Sequence, residues 1–322
     1  MTFLVLTVCF GLLLLVWSAN QFVDGASAMA KRFGVPALLI GMLIIGFGTS
    51  LPELMVSAQS AYEGKPGLAI GNAYGSNIGN IALILGLTAL LRPVTVQSRV
   101  LRTELPVLAG VSVVALSQAW DLKITPGEAV VLLSLFGVLF AWSIWKGSRT
   151  QDDAFSLEMQ AELAAKPSSI WLALIRLIGG LLCLLASSRM LVWGASQIAI
   201  SLGVSDLVIG LTIVAIGTSL PELASSIAAS RKGEHDIVLG NLVGSNLFNT
   251  LAVVGLAGAG QGITLEPAVL YRDLPIMLAL TLSVFVLGYG WRGPGRINRV
   301  EGTFLLLIYS AYLGWLFRWA AV

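Results

Sequence analysis

Charge is scarce in this chain. Lys, Arg, Asp and Glu together make up 11% of its 322 residues, where a soluble globular domain carries about a quarter. Histidine occurs once, as His235 in the polar stretch RKGEHD, and reads as a solvated turn residue. The two cysteines, Cys9 and Cys183, both lie inside apolar runs, so neither a disulfide framework nor a zinc cluster is indicated. With 19 basic and 17 acidic residues the net charge is +2, and no basic cluster suggests nucleic-acid binding. No nucleophile and base form a recognisable set, so the chain does not read as an enzyme. The period-2 alternation that a membrane β-barrel wall requires is also missing.

Apolar residues fill the space that charge leaves. They make up 57% of the sequence, with a mean hydropathy of +0.88, and they recur in runs long enough to cross a hydrocarbon layer of roughly 30 Å. The pattern predicts an all-α integral membrane protein with about ten transmembrane spans, near 2–23, 35–62, 67–91, 104–121, 126–146, 169–193, 205–230, 236–259, 272–290 and 301–320. The first of these lacks a basic leader and a cleavage site, and is expected to be a retained span rather than a signal peptide.

The chain also repeats itself. FGVPALLIG at 33–41 matches LGVSDLVIG at 202–210, GTSLPEL at 48–54 matches 217–223, and GNAYGSNIGN at 71–80 matches GNLVGSNLFN at 240–249, all in one register without gaps. Pro106 and Pro275, each just after an acid (Glu104 and Asp273), keep the same register. The expected organisation is a first transmembrane repeat over 1–146, a polar cytoplasmic linker over 147–168 whose DAFSLEMQAEL portion suits a short surface helix, and a second repeat over 169–322. Five spans per repeat is an odd number, so the copies should lie inverted in the membrane, the arrangement on which alternating access is built in many transporters.

Charge counting supplies the orientation. Alternate connections collect Lys31, Arg32, Arg92, Arg99, Arg102, Lys146, Arg149, Lys166, Arg231, Lys232, Arg292, Arg296 and Arg299 on one side. The other side holds Lys65, Lys123, Arg272 and Arg318. By the positive-inside rule both termini face away from the cytoplasm.

Acidic residues are nearly absent from the spans, yet Glu53 and Glu222 occupy the same place in the two repeats. An ionised carboxylate at bilayer depth costs roughly 2.5–3.5 kcal/mol on insertion scales unless it is compensated, and a cation is the economical partner. Thr49, Ser50, Thr218 and Ser219 precede the two glutamates. Pro52 and Pro221 remove backbone N–H groups, which should break each helix and free carbonyls around Gly48 and Gly217. Such irregular backbone belongs against protein or a polar cavity, not lipid. The second motif adds Asn72, Ser76, Asn77 and Asn80, repeated as Asn241, Ser245, Asn246 and Asn249, with 72/76/80 and 241/245/249 on one helix face each. Carboxylates, hydroxyls, amides and carbonyls without a histidine or thiolate cluster make a hard-cation inventory. That inventory alone leaves a calcium carrier, a sodium carrier and an exchanger of the two open.

The paired GTSLPE and GNxxGSN blocks, spread over nearly the whole chain, resemble the cation/calcium exchanger superfamily, especially its prokaryotic sodium/calcium exchanger branch. The resemblance implies ten transmembrane helices, an inner or plasma membrane location, and export of calcium driven by sodium entry. The closest competing expectation is calcium, or another divalent cation, exchanged for protons; a gated cation channel ranks lower. It further implies ion ligands at Thr49, Ser50, Glu53, Ser76 and Asn80 from one half and Thr218, Ser219, Glu222, Ser245 and Asn249 from the other. Some relatives carry aspartate where this chain has Asn249. Calcium and sodium are then transported ions, no resident cofactor is expected, and the bilayer is the main partner, with no obligatory protein partner implied.

Overall fold

A computed structural model describes residues 2–33, 35–64, 66–97, 100–149, 169–202, 215–289 and 295–320. Most of the expected linker and the copy of the first repeat block at 203–210 lie outside these residues. In chain order the main elements are α1 (Thr2–Phe33), α2 (Leu38–Thr49), α3 (Leu51–Tyr62), α4 (Gly67–Leu91), β1 (Val94–Thr95), α5 (Val100–Gln118), β2 (Lys123–Ile124), α6 (Pro126–Arg149) and α7 (Ile170–Ser201). They continue with α8 (Ala215–Thr218), α9 (Leu220–Lys232), α10 (His235–Gly258), β3 (Ile263–Thr264), α11 (Val269–Gly288), β4 (Arg296–Ile297) and α12 (Arg299–Ala320). Among the described residues seven helices are long and apolar enough to cross a membrane, or eight counting the bent α2–α3 pair.

Two helices run well past their apolar stretches. α1 and α7 have 32 residues each, about 48 Å at 1.5 Å per residue, where ~20 residues suffice for a crossing. Close helix packing explains the extra length. α1 and α7 run antiparallel, and the glycines at their seam replace side chains with backbone contact: a Cβ on Gly180 would stand 2.6 Å from Phe22 N, and one on Gly25 would meet the backbone of Leu177 and Ala173. The seam is reciprocal. Gly11 packs on Leu191 as Gly180 packs on Phe22, and Gly194 packs on Val8 as Gly25 packs on Leu177. In the repeat register Gly11 is equivalent to Gly180, Phe22 to Leu191, Gly25 to Gly194 and Val8 to Leu177. Contacts of the form i to j and j to i are the mark of a twofold relation. Replacing Gly180 with Leu should destabilise the protein by roughly 1–3 kcal/mol through overpacking; thermal unfolding in detergent will register it as a lowered midpoint, and an unchanged midpoint would contradict this seam.

The chain divides into two compact bodies, each drawing on both repeats. The first comprises Met1–Pro52 and Gly137–Gly244, the second Glu53–Phe136 and Ser245–Val322. In the first, Gly240 and Gly244 bring α10 onto the backbone of Leu38–Met42 in α2. In the second, β1 pairs antiparallel with β4 and β2 with β3, short ladders within an otherwise helical protein. These pairings join connections that charge counting assigns to the same membrane side: 94–95 with 296–297, and 123–124 with 263–264.

Several helices contain π turns, and two pairs of them recur within one residue of the repeat register. Val100–Glu104 and Val269–Asp273 occupy equivalent positions of the two copies, each ending two residues before the equivalent prolines, Pro106 and Pro275. Proline lacks the N–H that would close an α turn and its ring crowds the carbonyl four residues back, so the helix widens before it. Asp273 is buried but well satisfied, accepting from Arg272 Nε at 2.8 Å, Arg272 Nη2 at 3.0 Å and Tyr312 Oη at 3.0 Å. Two further π turns, Asn80–Leu85 and Phe248–Val253, interrupt the helices that carry the second motif.

Burial separates the helices by role. For Pro126–Trp145 only 17% of the apolar window is buried, whereas for His235–Gly258 all of it is. Phe3, Phe10, Leu13 and Trp17 of α1 and Trp171, Ile175 and Leu182 of α7 are exposed. Apolar surface of this kind suits a bilayer as solvent. His235 is not a loop residue, as its polar surroundings suggest, but the first residue of α10, because Gly233 ends α9 in the left-handed conformation (φ 80°) and the chain turns at once into the next helix.

Candidate functional site

Both GTSLPE motifs sit where a helix breaks. Ser50 (φ −83°, ψ 7°) separates α2 from α3, which are bent by 44°. Ser219 (φ −90°, ψ 6°) separates α8 from α9 in the same conformation. The break follows from Pro52 and Pro221, which leave Gly48 O and Gly217 O without their usual N–H partners. Gly217 O is partly satisfied by Ser188 Oγ of α7, which donates to it at 2.9 Å. That contact engages one of the carbonyls expected to be available.

In the first body, Thr49, Ser50, Ser219 and Glu222 are buried and Thr218 is half-buried. Ser50 Oγ donates to Glu222 Oε1 at 2.9 Å, joining the hydroxyl of one repeat to the carboxylate of the other. Thr49 Oγ1 bonds Ile45 O at 2.9 Å and lies 3.3 Å from Asn241 Oδ1. The second oxygen of the carboxylate, Glu222 Oε2, is buried with no hydrogen-bond partner among the described residues. A buried charged acceptor left in that state is costly, of order several kcal/mol.

Asn241 explains how the carboxylate-bearing helix is held. Its Nδ2 donates to Glu222 O at 3.2 Å, to Ser226 Oγ at 2.8 Å and to Ser225 Oγ at 3.3 Å. The second body repeats the clamp: Asn72 Nδ2 donates to Glu53 O at 3.1 Å and to Ser57 Oγ at 3.1 Å. Asn72 and Asn241, Glu53 and Glu222, and Ser57 and Ser226 are equivalent pairs in the repeat register. The clamp ties the second motif to the first and ensures that each glutamate enters the interior on a fixed turn. The motifs do not by themselves single out the two serines, although their constant position one helical turn after each glutamate is a signal that points to them.

The second body also holds Glu53, Ser76, Asn80, Ser245 and Asn249, all buried. Asn80 Nδ2 donates to Asn246 Oδ1 at 2.9 Å, and Asn77 Nδ2 donates to Thr250 Oγ1 at 2.7 Å and contacts Met277 Sδ at 3.4 Å. The amides of Asn77, Asn80, Asn246 and Asn249 thus lie around the starts of the two π turns. Among the described residues Asn77 Oδ1, Asn80 Oδ1 and both ends of the Asn249 amide are buried without a hydrogen-bond partner. Buried amide oxygens without donors are rare in folded proteins and call for an explanation. Among the described residues no three His, Cys, Asp or Glu side chains cluster as a metal site, so a cation here would meet mostly neutral oxygens. The ten residues expected as ligands fall into two sets, Thr49, Ser50, Thr218, Ser219 and Glu222 in one body and Glu53, Ser76, Asn80, Ser245 and Asn249 in the other.

Comparison with known proteins matches this geometry to a family. The family model described as "Sodium/calcium exchanger protein" matches residues 3–145 and 172–318. The chain is 44% identical to the putative antiporter CaxA of Alkalimonas amylolytica, over 94% of this chain and 95% of that one. It is 41% identical to the inner membrane protein YrbG of Escherichia coli, over 95% of each. A solved structure of the sodium-calcium exchanger NCX_Mj superposes with a TM-score of 0.85 at 32% identity, covering 98% of this chain and all of that one. The fold is accordingly all-α, with ten transmembrane helices in two inverted five-helix repeats.

Proposed function

This chain belongs to the sodium/calcium exchanger protein family, and we propose that it is a secondary antiporter exchanging calcium for sodium across the membrane by alternating access. What carries the reading is the Glu222 carboxylate: buried at a helix break, held by Ser50 on Oε1, with Oε2 lacking a hydrogen-bond partner among the described residues. A cation compensates it. Glu53, the same residue of the other repeat, is equally buried. Thr49, Ser50, Glu53, Ser76, Asn80, Thr218, Ser219, Glu222, Ser245 and Asn249 are the ion ligands in this reading. Calcium accepts six to eight oxygens in flexible geometry, and sodium uses hydroxyl, amide and carbonyl oxygens of the same kinds, so the two ions compete for these groups and travel in opposite half-cycles. The ion neutralises the carboxylates during the crossing, so a loaded carrier changes conformation more readily than an empty one. The repeats over 1–146 and 169–322 supply the two related conformations.

The reading is tested by sodium release. Vesicles containing the purified protein and loaded with sodium should release it when calcium is added outside; release indifferent to calcium would overturn the proposal.

Orientation belongs to the same proposal: a multi-pass protein of the prokaryotic inner membrane with both termini non-cytoplasmic. Lys232 supports it, since its Nζ donates to Asp24 Oδ1 at 2.6 Å and Asn20 O at 2.9 Å, bringing the basic end of α9 to the same level as the polar end of α1. In a background lacking Cys9 and Cys183, single cysteines at positions 2 and 321 should label from the non-cytoplasmic side and those at 155 and 233 from the cytoplasm. Labelling of the two termini from opposite faces would contradict five spans per repeat.

A further inference from the structure

An asparagine amide is a donor at one end and an acceptor at the other, and only the acceptor end suits a cation. What faces the donor end therefore decides whether an asparagine can serve as a ligand. Asn80 Nδ2 is taken by Asn246 Oδ1 at 2.9 Å. Its Oδ1 is buried with no partner among the described residues. Asn246 is itself 1% exposed, and its Nδ2 has no hydrogen-bond partner among those residues, so the contact to Asn80 is the hydrogen bond its side chain makes. Asn249, the repeat counterpart of Asn80, is different: neither end of its amide has a partner there. Asn77, the counterpart of Asn246, turns its Nδ2 to Thr250 and Met277, and its Oδ1 has no partner among the described residues. Thr250 has Ile81 as its counterpart in the first repeat, so the Nδ2 contact of Asn77 has no equivalent at Asn246.

We propose that Asn246 is a positioning residue for ion binding: by accepting the Asn80 N–H it holds the Asn80 carbonyl oxygen toward the cation and adds to its negative character. Asn246 does not touch the ion in this assignment. Partners of this kind, one step removed from a metal, commonly change affinity by roughly 10–100-fold when removed, and polarisation along a hydrogen-bonded chain acts in the same direction. The inference rests on the calcium/sodium exchange proposed above.

The test is a double-mutant cycle read in sealed vesicles as the calcium concentration for half-maximal sodium-driven uptake, with the maximal rate recorded separately. Asn246→Leu removes the acceptor and should raise the half-maximal concentration about tenfold or more, with a smaller change in maximal rate. On an Asn80→Asp background both ends of residue 80 are oxygens and need no orientation, so the same Asn246→Leu change should shift it less than about threefold. An equal shift on both backgrounds would mean that Asn246 acts by packing, and no shift in the single variant would mean that it does nothing for Asn80; either overturns the proposal. Asn246→Asp offers only acceptors and obliges Asn80 to keep donating, so it should bind calcium at least as well as the parent. If Asn246→Leu does not insert, weakened calcium affinity in Asn246→Asp overturns the proposal by itself. Absence of sodium-driven uptake in the parent would sink the exchange reading instead, which keeps the two failures distinct.

Discussion

Glu222→Gln should lower sodium-driven calcium uptake by about thirtyfold or more while leaving the protein folded. Glutamine has the shape of glutamate and keeps an oxygen for the Ser50 hydroxyl, which donates to Glu222 Oε1 at 2.9 Å. The clamp from Asn241 reaches the backbone carbonyl of residue 222 and is indifferent to the side chain. Only the charge is lost. Removing one member of a buried, hydrogen-bonded charge pair costs about 2–5 kcal/mol, and about 1.4 kcal/mol is a factor of ten, which sets the expected loss. Glu53→Gln should behave alike, because Glu53 is as deeply buried and held by the matching clamp from Asn72. Flux in vesicles at matched insertion, with a monodisperse elution profile for each variant, provides the comparison. Normal calcium flux in both correctly inserted variants would remove the glutamates from the ion path.

Asn249→Asp should make transport more steeply dependent on pH than in the parent. Asn249 is 1% exposed, and neither end of its amide is hydrogen-bonded among the described residues, so the new carboxylate finds no donor waiting for it and a cation is its natural partner. A carboxylate holds a cation only when ionised. Protons therefore compete with calcium and sodium as pH falls, and uptake declines on the acid side. Titrating groups that bind one ion share their protons as a set, so the profile reports the site and not residue 249 alone. Parallel flux measurements from mildly acidic to neutral pH should show the variant losing a larger fraction of its activity than the parent. Superimposable normalised profiles would show that residue 249 does not share electrostatics with the ion.

Much of this architecture is legible in the sequence. The register that aligns the motif copies reappears in the helix breaks at Ser50 and Ser219, in the π turns ending at Glu104 and Asp273, in the Asn72 and Asn241 clamps, and in the reciprocal glycine seam of α1 and α7. A repeat is legible because identity at one register needs no knowledge of packing. The prolines are equally informative, since the loss of an N–H is a local event. The pairing of particular side chains is less legible. Asn77 and Asn246 occupy matching places in GNxxGSN, yet one bonds Thr250 and Met277 and the other bonds Asn80. That difference arises from residues distant in sequence. The grouping into two bodies is hidden too, because each draws helices from both repeats, and a linear reading divides the chain where the repeat divides. The ends of α1 and α7 run past the apolar signal for a related reason: small residues such as Gly25 and Gly194 carry little hydropathy but allow close helix packing.

The central claim is coupling of calcium to sodium, and its most direct measurement is uptake of radiolabelled calcium into sealed vesicles with an outward sodium gradient imposed and then collapsed by a sodium ionophore. The account predicts accumulation while the gradient stands and its loss when the gradient is dissipated, with no accumulation driven by a pH gradient in sodium-free medium. Calcium accumulation that follows the pH gradient with sodium absent, or calcium entry that merely equilibrates regardless of either gradient, would contradict it.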